Sequence, residues 1–314
     1  MSFYLISVIL LLLIAPKPVL FLVANILLLP VLLTALLGRI LASLPIPIIN
    51  LIGQHILNAC QSLCRYLLIP VSTKSYSPIE EFKHYAESVQ IFLGGNGYHP
   101  EGTKWHFTNH YSNCTAKHTS RYFLPHRYQN LPVAKTFDEL INQHVTQIKT
   151  IIENNPHATQ ITLGGNSMGA AIMAHVLEDH SQNVPPRIQK INLFVDRTFT
   201  STSHLLQSPS FAFLPVSVLI LKITGWSINP LKKLNQLIQK ITKTRTSIYI
   251  NEVEDDSLLH GGGLKAQHIS PGRNQVFKKT MPDPLIGTPN HCSYDHQLLN
   301  TSAYEDMTNH YKAS

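Results

Sequence analysis

Six short apolar runs, each of strand length and each set apart by helical or loop sequence, constrain this chain more than any other feature. They read SVQIFLGG (88–95), SRYFLP (120–125), TQITLGG (159–165), KINLFVD (190–196), TSIYINEV (246–253) and, more weakly, NQVFKKT (274–280). Between the second and third, KTFDELINQHVTQIKTIIENN (135–155) places Phe137, Leu140, Ile141, Val145, Ile148, Ile151 and Ile152 at helical spacing. A small-residue helix, MGAAIMAHVLEDH, follows the third run, and the tail YDHQLLNTSAYEDMTNHYK reads as another helix. Strands that alternate with helices predict an α/β fold, a mostly parallel sheet covered by helices on both faces.

The N-terminal region follows a different rule. From Phe3 to Ile52 the only charges are Lys17 and Arg39. Pro18 to Leu37 has the roughly 20 residues that a helix needs to cross hydrocarbon, whereas Phe3 to Ala15 is too short for a span of its own. The two runs make a membrane hairpin if they pair through the break at Pro16-Lys17-Pro18. No Lys or Arg precedes the first run and a longer apolar run follows it, which argues against a cleaved signal peptide. The expectation is a retained anchor over 1–55, one span or a hairpin, with a lead-in over 56–84 and a catalytic domain over 85–314. Lys17, Arg39, Arg65 and Lys74 tilt the topology toward a cytoplasmic catalytic domain.

Composition narrows the partners. The formal charge is +7, from 25 basic against 18 acidic residues. The basic residues are scattered and lack the aromatic interleaving of a nucleic-acid binder, so the expected partner is an anionic membrane surface and not nucleic acid. The 17 histidines are dispersed and form no HExxH or Cys/His zinc pattern, so neither a metal nor a cofactor is expected. Cys60, Cys64, Cys114 and Cys292 are too few and too irregular for a disulfide framework. Cys60 and Cys64 share a helix face, as packed thiols or as membrane-proximal palmitoylation sites.

The stretch ITLGGNSMGAAIM (161–173) carries the chemistry. Gly165-Asn166-Ser167-Met168-Gly169 is a G-x-S-x-G between a strand and a small-residue helix, the setting of a nucleophile elbow. The turn holds the serine in strained backbone geometry, and glycines two residues to either side let strand and helix pass without side-chain clashes. The hydroxyl then stands at a helix N-terminus, where developing negative charge is favoured.

Here the chain resembles the α/β-hydrolase family of lipases, esterases and thioesterases over roughly residues 85–310. The loop in IFLGGNGYHPEG (91–102) matches the position of the loop that supplies one oxyanion-hole amide, with Gly94 where a histidine commonly stands. The resemblance implies an acid after a late strand, best matched by Asp256 in YINEVEDDSLL, with Asp255 beside it. It implies a histidine before the last helix, best matched by His291 in GTPNHCSYDHQLL. The order Ser167, Asp256, His291 is the family's order. The oxyanion donors implied are the amides of Met168 and of Asn96 or Gly97. Asp196 is the alternative acid, or else the local partner of Arg197, and His296 is the alternative base. His99 beside the loop touches substrate or is an ordinary surface histidine.

The function implied is a membrane-anchored serine hydrolase that cleaves an ester or thioester of a hydrophobic acyl substrate, with a lipase-like or phospholipase-like character. A catalytically idle scaffold serving as a membrane-tethered binding module, and a peptidase or amidase on the same fold, are the alternatives. The insertion between the fourth and fifth strands, about 199–245, contains the apolar SFAFLPVSVLILKITGW, expected to be a cap helix or a lid that dips into lipid.

Overall fold

The computed structural model describes residues 17–68, 75–95, 98–111, 118–180, 184–207, 215–240, 245–253, 259, 263–269 and 275–281. The chain opens with two helices, α1 (Lys17–Ser43) and α2 (Pro47–Leu68), packed against each other as a hairpin. Within α1, Asn25–Ser43 is long and apolar enough to cross a membrane.

The expected pairing of the run 3–15 with α1 lies outside the described residues. Lys17 and Pro18 begin α1, because proline is tolerated in a helix's first turn. After α1 the chain reverses at Leu44-Pro45-Ile46, and α2 packs back against α1. The boundary expected at residue 55 falls inside α2, whose apolar pattern continues through Ile56, Leu57, Cys60 and Cys64. Both cysteines are buried and free. The helices cross closely at Gly53, where a Cβ would collide with the backbone of Leu41 and Ala42.

The body is one seven-stranded sheet of β1 (Ile79–Glu81), β2 (Ser88–Leu93), β3 (Thr119–Leu124), β4 (Gln160–Asn166), β5 (Lys190–Asp196), β6 (Arg245–Val253) and β7 (Gln275–Met281). Their spatial order is β1-β3-β2-β4-β5-β6-β7. Among the described strands only β1, at one edge, is antiparallel to its neighbour; the other strand pairings are parallel. All six expected runs are strands, whereas β1 is only three residues, Ile79-Glu80-Glu81, without a signal of its own. Val89, Ile91, Leu93, Leu163 and Leu193 are buried to 2% exposure or less, as the near-continuous apolar runs of central parallel strands require.

Helix α3 (Pro100–Tyr111) follows β2, and α4 (Phe137–Glu153) lies in the crossover from β3 to β4. α4 starts where expected because the Thr136 side chain accepts from the Glu139 amide, while the Glu139 carboxylate accepts from the Lys135 amide. Helix α5 (Met168–His180) leaves β4 directly, and α6 (Thr202–Gln207), α7 (Pro215–Thr224) and α8 (Pro230–Lys240) fill the insertion between β5 and β6. α8 packs on α5, and α7 packs on α1 and α2. Trp226, just past α7, is 1% exposed, stands edge-on to Phe137, and donates from Nε1 to the Gln61 carbonyl at 2.9 Å.

Candidate active site

Parallel strands deliver their C-terminal ends to one edge of the sheet, and the register aligns Leu93, Gly165, Val195 and Ile250 across it. At that edge β4 turns into α5 through Ser167, whose φ is +52°. A non-glycine residue held there is strained, and surrounding contacts must fix it. Two of them are the flanking glycines. A Cβ on Gly165 would collide with the Ala170 amide nitrogen, and one on Gly169 with the carbonyl oxygens of Leu93 and Gly94. All these obstacles are backbone atoms, so no rotamer change relieves them.

The neighbouring strand holds the other side of the turn. The Ser167 amide donates to the Asp196 carbonyl at 2.8 Å, and the Thr198 hydroxyl donates to the Ser167 carbonyl at 2.7 Å. Arg197 between them also has a positive φ, +45°. It wraps back onto its own neighbour: Nε donates to Asp196 Oδ1 at 2.9 Å and Nη2 to Oδ2 at 2.7 Å, while Asn166 Nδ2 donates to Oδ2 at 2.9 Å. Asp196 is fully buried and Arg197 4% exposed, so this bidentate pair sits inside the protein next to the elbow.

The loop after β2 lies against the serine. A Cβ on Gly95 would stand 3.4 Å from Ser167 Cβ, which puts that backbone in van der Waals contact with the elbow. His126 supports the loop from behind. Its Nε2 lies 3.0 Å from the Gly94 carbonyl and 3.1 Å from that of Gly95. Both partners only accept, so Nε2 carries the proton, and burial holds the ring below its usual pKa and therefore neutral. His126 has no sequence signature: it is one of 17 histidines and stands outside every motif.

Of the expected site residues, Ser167, Met168, Gly165, Gly169 and Asp196 are brought together here. Met168 opens α5 immediately after the serine and is buried. Asn96, Gly97, Asp255, Asp256, His291 and His296 lie outside the described residues. Strands β6 and β7, which precede the two acid candidates and the two base candidates in sequence, run parallel to β4 and so end at the same sheet edge as Ser167. His99 is exposed, and its Nδ1 accepts from the Gly102 amide at 3.2 Å in the first turn of α3. Among the described residues no group of three or more His, Cys, Asp or Glu is placed to hold a metal ion.

A mostly parallel sheet with an antiparallel edge strand, whose central strand passes into a helix through a G-x-S-x-G elbow, is the α/β-hydrolase fold. No family model and no curated protein matches the chain. Solved structures that resemble it include a fungal esterase from Rhizomucor miehei, with a TM-score of 0.46, 13% identity and coverage of 73% of this chain and 75% of that one. Est1E from Butyrivibrio proteoclasticus has a TM-score of 0.46 at 10% identity, over 76% of this chain and 96% of that one. An esterase from the archaeon Pyrobaculum calidifontis has a TM-score of 0.45 at 10% identity, over 89% of this chain and 96% of that one.

Proposed function

We propose that this chain is a membrane-associated serine hydrolase that cleaves an ester or thioester of a hydrophobic acyl chain. The observation that carries the reading is Ser167 at φ +52°, held between two glycines that no side chain can replace. A fold that needed only a polar turn would not require this geometry.

In the proposed reaction Ser167 Oγ attacks the acyl carbonyl as its proton passes to the His291 imidazole. Asp256 fixes that imidazole's tautomer and stabilises its charged form. The amides of Met168 and of Asn96 or Gly97 hold the tetrahedral oxyanion, each contributing about 3 kcal/mol of barrier lowering. Collapse of the intermediate expels the alcohol or thiol, which takes the proton from His291, and water then releases the acid from the acyl-enzyme by the same route. Asp196 is the weaker choice of acid, because Arg197 bridges both its oxygens. Membrane association draws its support from the apolar α1 and would bring acyl substrates to the site.

The test is labelling by a fluorophosphonate, which reacts only with an activated serine. Wild type should label and Ser167→Ala should not. Loss of labelling rate in His291→Ala and Asp256→Asn, with Asp196→Asn near wild type, assigns the other two roles. A folded wild type that stays unlabelled makes the chain a tethered scaffold instead.

A further inference from the structure

The apolar surface of the hairpin is organised as a face. On α1 the exposed large residues are Ile26, Leu27, Leu29, Leu33, Leu36, Leu37 and Ile40, a stripe at helical spacing on the side turned away from the packed Ala35 and Gly38. The stripe runs on around the reversal through Ile46, Ile48, Leu51 and Ile52. A patch of this extent asks for a partner.

Two hydrogen bonds fix how α1 lies on the body. The Val216 amide, at the start of α7, donates to Asn25 Oδ1 at 3.2 Å, and Arg39 Nη1 donates to the Ile223 carbonyl, at the end of α7, at 2.8 Å. α7 is therefore strapped alongside α1 between Asn25 and Arg39 over its own ten residues, roughly 15 Å at 1.5 Å per residue. That is about half of the roughly 30 Å of a hydrocarbon core. If α1 stood upright across a bilayer, α7 would be drawn in with it. The inner side of α7, Val218, Ile220 and Leu221, belongs to the main hydrophobic core, so the body would follow. A body with open sheet edges and polar loops has no place in hydrocarbon.

Charge points to the same partner. Residues 1–79 and 198–245, which build the hairpin and the α6–α8 insertion, contain 10 of the 25 lysines and arginines and none of the 18 acidic residues. Lys222 and Leu219 on α7 are both exposed, one turn apart. An apolar face on segments that carry basic and no acidic residues of their own fits an anionic lipid surface.

We infer that α1, α2 and α7 form a single in-plane platform that rests on an anionic bilayer, with the outer stripe of α1 sunk into the interface and no helix crossing. The inference rests on the membrane association proposed above and specifies its geometry.

The experiment places a fluorescent amino acid at Leu27, Leu33 or Ile40 of the full chain. Each variant is bound to vesicles of phosphatidylcholine and phosphatidylglycerol and quenched by lipids brominated at successive depths. The expected result is one shared shallow depth for all three, about 5–10 Å into the headgroup boundary. A deep reading at 33 flanked by shallow readings at 27 and 40 overturns the in-plane platform while leaving membrane anchoring intact. No quenching at any position overturns both, because the stripe then has another cover, such as residues 1–16 or a protein. As a second readout, Leu33→Asp combined with Leu37→Asp should weaken vesicle binding at least tenfold with the fold unchanged by circular dichroism. Unchanged binding also overturns the platform.

Discussion

The elbow edge of the sheet and the hairpin platform solve opposite problems with the same small set of residue types. At the elbow, glycine allows backbone to touch backbone, the packed neighbours are buried, and Ser167 and Arg197, just past two adjacent strands, carry positive φ values. In the hairpin, glycine also brings backbones together at Gly53, but many of the leucines and isoleucines, such as Leu33, Leu37, Ile48 and Leu51, are exposed. One region stores strain inside a closed core; the other leaves its apolar area open. The contrast teaches that apolar content alone says little about burial: position relative to the sheet decides it.

The largest effect expected belongs to the elbow. Ser167→Ala should lower ester hydrolysis by about 10⁴-fold or more while leaving vesicle binding as it was, which steady-state assays beside flotation would check. A parallel loss of vesicle binding would break the separation of the two regions. Next comes Arg197→Met, which removes the bidentate partner of the buried Asp196 carboxylate and should destabilise by about 3–5 kcal/mol in urea unfolding. A change under 1 kcal/mol would mean that the pair is not what holds β5 to the elbow.

A matched pair of leucines sharpens the comparison further. Leu163→Ala, in the centre of β4, should destabilise by about 2–5 kcal/mol. Leu36→Ser, on the outer stripe of α1, should stay within about 0.5 kcal/mol in detergent-free solution because the side chain is already exposed. Equal losses would show that the stripe is covered within the folded chain.

Acid acts on the body. Burial pushes the His144 pKa down to about 3, helped by the nearby His126, and burial likewise pushes His175 down to about 4. Both native values lie below the unfolded value near 6.5, so the unfolded chain binds protons that the native one refuses. Stability is therefore complete above pH 6.5 and falls as pH drops, by about 1 kcal/mol per imidazole over the first unit. His144→Gln should flatten that slope in pH-dependent unfolding; an unchanged slope would remove His144 from the account.

The sequence disclosed most of the sheet because buried parallel strands are apolar along their whole length, and KINLFVD or TQITLGG resembles little else. It disclosed the elbow because the backbone contacts at Gly165 and Gly169 tolerate no other residue type. It hid β1, whose Ile79-Glu80-Glu81 is held by pairing with β3 and by the ion pair of Glu81 with Lys104, not by its own pattern. It hid the pairing of α2 with α1 because α2 is amphipathic and mixes Gln54, His55 and Asn58 among its apolar residues, and so does not read as membrane sequence. The clamp of Thr198 on Ser167, and of His126 on the Gly94–Gly95 loop, was invisible for a simpler reason: contacts between residues far apart in the chain leave no local spacing to read.

The straps between hairpin and body have a further consequence, in time. They join residues separated along the chain by 191, 184 and 165 positions. At a synthesis rate of roughly 5–20 residues per second, about 8–40 s separate the emergence of α1 and α2 from that of α7 and Trp226. During that interval the hairpin has no protein surface to dock on, and lipid or a chaperone is the only cover for its leucines. On the membrane association proposed above, the nascent chain would meet a bilayer first and fold its sheet afterwards, against a hairpin already in place.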